Sequence, residues 1–195
     1  MKTKLICLLI ATLCIALSTY AYDFNKGMLY YNITCRTAPN YSVKVVPHSS
    51  YSRYKYIVIP STVTYNNITY KVTGIGQSAF SGCTELQTII GAENITYIED
   101  FAFWGCKNLT EIPLPDNMSS IGQYAFRECS GLTSFTIPEG ITDISFNTFQ
   151  GCTGLTSVTI PSTVEIIRSH AFDSCVSLSS VTFPPSLDYI QDWAF

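Results

Sequence analysis

Histidine is nearly absent. The 195 residues include two, His48 and His170. The five cysteines after residue 80 stand 23 apart rather than in close pairs, so a zinc site of thiolate and imidazole has neither its ligands nor its spacing. Basic residues are scarce over most of the length: residues 74–195 hold three Lys+Arg against thirteen Asp+Glu. Such a stretch repels nucleic-acid phosphates rather than binding them. There is no Gly-rich phosphate loop and no paired-carboxylate site. Cys175 with His170 is the one conceivable nucleophile and base. No apolar run beyond residue 17 is long enough to span a bilayer. These absences leave no cofactor, no metal and no catalytic residue to assign, and the chain is expected not to be an enzyme.

The start of the chain is of a different kind. Lys2 and Lys4 precede an apolar run of 13 residues, Leu5 to Leu17. That run falls short of the about 20 residues a spanning helix needs. Small residues follow at Ser18-Thr19-Tyr20-Ala21. Residues 1–21 read as a secretory signal peptide, with an N-terminal anchor as the alternative. A mature chain from residue 22 carries nine Lys+Arg and fourteen Asp+Glu, a formal charge of −5. It has no membrane span and is expected to be secreted or held at the cell surface.

What is present is a repeat. Ala-Phe or Thr-Phe pairs stand at 79–80, 102–103, 125–126, 148–149, 171–172 and 194–195, always 23 apart. Cysteine follows in the same step at Cys83, Cys106, Cys129, Cys152 and Cys175, and leucine at Leu86, Leu109, Leu132, Leu155 and Leu178. A fixed period of that length means a solenoid, in which each coil buries its apolar side only by stacking on its neighbours. Within a coil, Leu155, Val158 and Ile160 alternate with Ser157 and Thr159, which predicts a short strand with an inward apolar edge. Proline at 115, 138, 161 and 184 ends that strand, because it has no N–H to give a ladder. Val72, Ile95, Met118, Ile141, Val164 and Leu187 begin a second inward run, completed by Ile75, Ile98, Ile121, Ile144, Ile167 and Ile190. The Ala-Phe and Gly-Cys segments predict a tight turn or a single helical turn. Gly82, Gly105 and Gly151 suit a left-handed corner; Glu128 and Ser174 replace that glycine, so their corners are expected to be more strained or differently shaped. Stacking places Phe80, Phe103, Phe126, Phe149, Phe172 and Phe195 in one spine.

Residues 22–73 break the period and hold six basic groups and one acidic group. Met28–Ile33, Ser42–Val46 and Tyr54–Ile59 are rich in Val, Ile and Tyr and predict strands. Thr64 to Val72 are nine extra residues whose removal restores the phase, so they predict an inserted hairpin tipped by Asn66-Asn67. The whole segment, 22–73, is expected to be a β cap over the first coil, followed by a repeat array over 74–195.

The pattern Ile-Pro-x-x-Val-x-x-Ile-x-x-x-Ala-Phe-x-x-Cys-x-x-Leu-x-x-Val-x-Ile-Pro, as at 137–161 and 160–184, resembles the BspA-like class of leucine-rich repeats over roughly 57–195. The resemblance implies a right-handed, β-rich leucine-rich-repeat solenoid on a secreted or cell-surface protein, with some relatives acting as adhesins for matrix proteins or other microbes. It carries no catalytic motif. Gly91-Ala92 stands where Ile-Pro is expected, and Pro113 occupies an outward strand position, so those two coils should have irregular edges. The chain stops in mid-coil at Phe195, which reads as a fragment of a longer array or a truncated gene.

Two surfaces are candidates for binding. The outward strand positions, Thr88, Glu111, Ser134, Thr136, Ser157, Thr159, Ser180 and Thr182, form a shallow face of short polar groups. Such a face suits a protein or glycan on a host or microbial surface, or else simply solvates the sheet. The aromatics near the turns, Phe101, Trp104, Tyr124, Phe146 and Trp193, are the second candidate, unless they are half-buried at coil corners. A structural spacer presenting a further C-terminal region is the alternative function. The repeat cysteines are expected as buried free thiols, with a disulfide between stacked coils as the alternative. Sequons at Asn32, Asn40, Asn67, Asn94, Asn108 and Asn117 carry glycans or are chance occurrences.

Overall fold

A computed structural model describes residues 22–195; the segment read as a signal peptide, residues 1–21, lies outside the described residues. The described residues contain fourteen strands, β1 to β14, and one 3-10 helix, Ser49–Arg53. β1 (Phe24–Lys26) pairs antiparallel with β2 (Leu29–Cys35), and β2 with β3 (Ser42–Val45). β5 (Thr62–Tyr65) and β6 (Ile68–Ile75) form a hairpin in which Tyr65 faces Ile68. Its two-residue tip, Asn66 (φ 48°) and Asn67 (φ 61°), lies in the left-handed region, as the primed hairpin turns require. β6 then pairs in parallel with β3, and through Gly74 and Ile75 with β8 (Tyr97–Ile98), which pairs with β9 (Ser120–Ile121). One seven-stranded sheet thus passes from the irregular N-terminal segment into the repeats.

Sequence reading missed β1 altogether. It also extended the strand expected at Tyr54–Ile59 too far: β4 is Tyr56–Val58, and just before it residues 49–53 form the 3-10 helix. His48 caps that helix, its Nδ1 accepting from the Ser50 N–H at 3.2 Å.

From residue 74 the coils stack in the register the period predicts. β10 (Ser134–Thr136) pairs with β12 (Ser157–Thr159), Ser134 on Ser157 and Thr136 on Thr159. β11 (Asp143–Ile144), β13 (Ile166–Ile167) and β14 (Tyr189–Ile190) form a second parallel set. The corners are consecutive hydrogen-bonded turns, and they carry a ladder of their own. The Phe80 N–H donates to Ala102 O at 2.8 Å, Phe103 to Ala125 at 2.8 Å, Phe126 to Thr148 at 2.9 Å and Phe149 to Ala171 at 2.8 Å.

Each corner uses two left-handed residues. Gly82, Gly105 and Gly151 lie at φ 72° to 73°, with Glu128 and Ser174 at 60° and 61° in the same column. A second column was not foreseen: Ser78, Phe101, Tyr124, Asn147, His170 and Trp193 all lie between φ 55° and 61°. For a non-glycine residue this costs about 1–2 kcal/mol, sustained by the ladder and the packing around it.

The core is one contiguous cluster. Its axis is the ring spine, with successive centroids 5.2 to 5.5 Å apart from Phe80 to Phe195. The N-terminal segment extends it. Tyr51 is fully buried, 5.2 Å from Phe80, and its hydroxyl accepts the Tyr30 N–H at 2.9 Å. Phe80 to Phe172 are buried, whereas Phe195 is 48 % exposed.

Candidate functional site

The strand face is built from the outward positions of successive coils. Seven of the eight residues expected there have the predicted environment: Glu111, Ser134, Thr136, Ser157, Thr159, Ser180 and Thr182 are exposed, while Thr88 is half-buried. They do not form one continuous ladder. β4 pairs with β7 (Thr88–Ile90), and β7 reaches the next coil only through the bridge Thr88–Glu111. Pro113, next outward in that coil, has no N–H to continue the ladder. Pairing resumes at β10–β12 and ends there: residues 179–183 form no strand, so Ser180 and Thr182 are not a third rung.

The face carries apolar residues that a search for polar outward positions passed over. Tyr56 aligns with Thr88, and Val58 with Ile90. Tyr56 is 55 %, Val58 53 % and Ile90 48 % exposed. Val58, Ile90, Pro113, Thr136 and Thr159 occupy one column, which passes from apolar at the N-terminal end to hydroxyl in the middle of the array. The signal was in the sequence: Ile57-Val58-Ile59 has an apolar residue at the alternating outward position.

The aromatic candidates divide. Phe101 and Tyr124 stack at 4.8 Å with an interplanar angle of 4°, and Trp104 lies 5.9 Å from Phe101. Arg127 places its guanidinium 5.7 Å from the Trp104 ring and 5.7 Å from Tyr124, so a cation the sequence did not single out closes this cluster. Phe146 belongs elsewhere, under Arg168 at 5.4 Å. Trp193, 75 % exposed, belongs to the last coil.

The repeat cysteines are free thiols, buried in a column beside the spine. Each of four donates to the spine carbonyl of the preceding coil at 3.1 Å: Cys106 to Phe80, Cys129 to Phe103, Cys152 to Phe126 and Cys175 to Phe149. Burial pushes the Cys83 and Cys175 thiols up to about 11, and also raises Cys106, Cys129 and Cys152. A thiol held neutral is a poor nucleophile. Cys175 and His170 are not a pair: the thiol bonds Phe149 O, and His170 Nδ1 lies 3.3 Å from Asp173 Oδ2. The Gln150 amide, donating to the same carboxylate at 2.7 Å, is the main cause holding Asp173 below the usual carboxylate range. Among the described residues no His, Cys, Asp and Glu cluster is placed to hold a metal ion, and no helix is long and apolar enough to cross a membrane.

Comparison with known proteins gives a consistent picture. The family model described as a BspA type leucine rich repeat region matches in six copies, over residues 51–175 and 142–195. The chain is similar to a leucine-rich repeat protein from Bacteroides ovatus, with 27 % identity and a TM-score of 0.52, covering 89 % of this chain and 56 % of that one. It is similar to a leucine rich cell surface protein from Faecalibacterium prausnitzii, with 25 % identity and a TM-score of 0.58, covering 86 % of this chain and 55 % of that one. The pneumococcal vaccine antigen PcpA shares the fold, with a TM-score of 0.68 at 20 % identity, covering 86 % of this chain and 45 % of PcpA. The chain therefore spans little more than half the length of the first two and less than half of the third. No curated protein matches.

Proposed function

The chain belongs to the BspA-type leucine-rich repeat family, and from that premise we propose that it is a non-enzymatic, secreted or surface-held module that binds a protein on a host or microbial surface through its strand face. The observation that carries this is the make-up of that face. Tyr56, Val58 and Ile90 expose apolar surface on β4 and β7, and the short hydroxyls of Ser134, Thr136, Ser157 and Thr159 continue the same columns. An apolar centre beside a polar rim is the composition of a protein interface. An exposed apolar patch on a folded surface marks a place to be covered. The face is shallow, so it suits a macromolecule rather than a small substrate, which needs a concave site. The N-terminal sheet fits the part of a cap, since Tyr51 covers the first ring of the spine.

The test is a binding screen of residues 22–195 against matrix proteins and microbial surface proteins. Wild type is compared with Val58→Glu plus Ile90→Glu, and with Thr136→Arg plus Thr159→Arg. The expected result is a salt-sensitive partner, since the repeats are acidic, whose affinity falls at least about tenfold in both variants. Unchanged binding in both variants would exclude the strand face and turn attention to the Phe101, Trp104 and Tyr124 corner. Failure to bind any protein would favour the spacer.

A further inference from the structure

The side of the solenoid formed by the second strands carries a seam. In the other coils two backbone bonds recur on this side. One joins equivalent residues of neighbouring coils: Thr96 N–H to Thr73 O, Ser119 to Thr96, Glu165 to Thr142 and Asp188 to Glu165, at 2.6 to 2.9 Å. The other joins Glu99 N–H to Ile75 O, Gly122 to Ile98, Arg168 to Ile144 and Gln191 to Ile167, at 2.8 to 2.9 Å. Between β9 and β11 both are missing: Thr142 N–H does not reach Ser119 O, nor Ser145 N–H Ile121 O, and the two strands are unpaired. Two depressions of about 390 and 400 Å³ adjoin along this seam, sharing Ser120, Ile121, Gln123 and Ser145.

Small side chains line the seam. Ser120 and Ser145 are small where other coils carry Tyr97 and Arg168. Tyr97 leans away over Gly74, where an added Cβ would lie 2.2 Å from its ring. At Gly122 the Asp100 carboxylate fills the space of a side chain, 2.5 Å from where a Cβ would stand, and its Oδ1 accepts the Gln123 N–H at 2.8 Å. Two of the three carboxylates in the walls are paired. Lys44 Nζ lies 2.7 Å from Glu99, and Arg168 Nε 2.8 Å from Asp143. The groove is therefore of mixed character, with Asp100 as its one carboxylate outside an ion pair; amides, hydroxyls and unpaired backbone N–H and C=O groups alternate with Ile121, Ile141 and Phe146.

We propose that this groove binds a linear neutral oligosaccharide lying along the solenoid axis, on a face distinct from the proposed protein-binding surface. Sugar hydroxyls both donate and accept, and so answer a mixed array of N–H, C=O, hydroxyl and amide groups. Running from Gln77 to Arg168, the groove crosses four coil steps of about 4.8 Å, about 19 Å in all, enough to take several sugar units end to end. An anionic chain would meet Asp100 uncompensated. A peptide strand cannot enter between β9 and β11, because doubling the spacing to about 10 Å would break the bonds bracketing the seam. Those bonds are Gly140 N–H to Asp116 O at 3.0 Å and Tyr124 N–H to Phe146 O at 3.1 Å.

The experiment titrates residues 22–195 with cello-, laminari-, manno-, malto- and xylohexaose, and with hexagalacturonate as the anionic control. Calorimetry is run at low and high salt, and the Thr142 and Ser145 amides are followed by NMR. The expected result is saturable binding of at least one neutral hexasaccharide, insensitive to salt, that shifts both amides. Ser120→Tyr and Ser145→Tyr should each weaken it at least about tenfold, while Thr136→Arg plus Thr159→Arg leaves it unchanged. Should Ser145→Tyr fail to fold, Ser120→Tyr, at an exposed position, carries the comparison. Absence of binding by all five neutral sugars overturns the proposal. So does binding that Ser120→Tyr leaves intact, or tighter binding of hexagalacturonate.

Discussion

Cys129 shows how much of a residue's work the sequence reveals. Its place in a buried column beside the phenylalanines follows from the period, but its donation to Phe103 O, 26 residues earlier, does not. The same holds for hydroxyls. Thr156 donates to Thr133 O at 2.9 Å, Ser119 to Thr96 O at 2.8 Å and Thr163 to Ile141 O at 2.9 Å, so hydroxyls the sequence did not single out stitch one coil to the next. The left-handed column at Ser78, Phe101, Tyr124, Asn147, His170 and Trp193 was illegible because it uses no glycine. The thiols make a prediction about pH. At pH values below 9, the ordinary thiol value, they are neutral in both the folded and the unfolded chain, and their contribution to stability is complete. Above 9 the unfolded chain ionises first, while Cys83 and Cys175 hold their protons to about 11. Stability therefore falls through that window, by about 1.4 kcal/mol per pH unit for each such thiol. Melting temperatures are expected to be level from neutral pH to 9 and to drop steeply by 11; a level profile to 11 counts against the buried, neutral column. In folded residues 22–195 at neutral pH, a thiol reagent should label Cys35 alone among the six cysteines. Hydrogen bonding with Thr37 lowers the pKa of that partly exposed thiol.

At the scale of the element, the second strands are two residues each, too short to persist except as rungs of a stack. Their stability comes from the ring spine beneath them. Phe149 touches two spine neighbours, Phe126 at 5.5 Å and Phe172 at 5.3 Å, and also Phe135 at 4.7 Å. Phe149→Ala is expected to cost about 3–5 kcal/mol, against no more than about 0.5 kcal/mol for Ser157→Ala on the outward face. Denaturant melts giving equal losses would contradict the inward and outward assignment. The periodic elements were legible because stacking repeats one environment at a fixed spacing. The failures fall where that logic lapses. β1 is a short partner strand with no period. Tyr51 joins the spine 29 residues before Phe80, out of phase with every other ring. Ser180 and Thr182 have the right residues, but their coil lacks the pairing that would hold them as a strand.

At the scale of the whole molecule, two interruptions stand on different sides of the same pair of windings, residues 111–121 and 134–144. The strand face is open between Glu111 and β10, where Pro113 intervenes, while β8 and β9 stay paired one winding earlier. The second-strand side is open about ten residues further along, between β9 and β11, while β10 and β12 stay paired one winding later. The turn ladder is continuous across both openings. Native-state hydrogen exchange should register this: the Thr142 and Ser145 amides are expected to exchange at least about a hundredfold faster than Glu165 and Arg168, their counterparts one coil on. Equal protection would mean the seam is closed in solution. Between these windings neither strand face supplies a ladder, and the backbone is held across them by the turns alone, as in Tyr124 N–H to Phe146 O and Gly140 N–H to Asp116 O. Under a pull along the stack, the coils are expected to part there first.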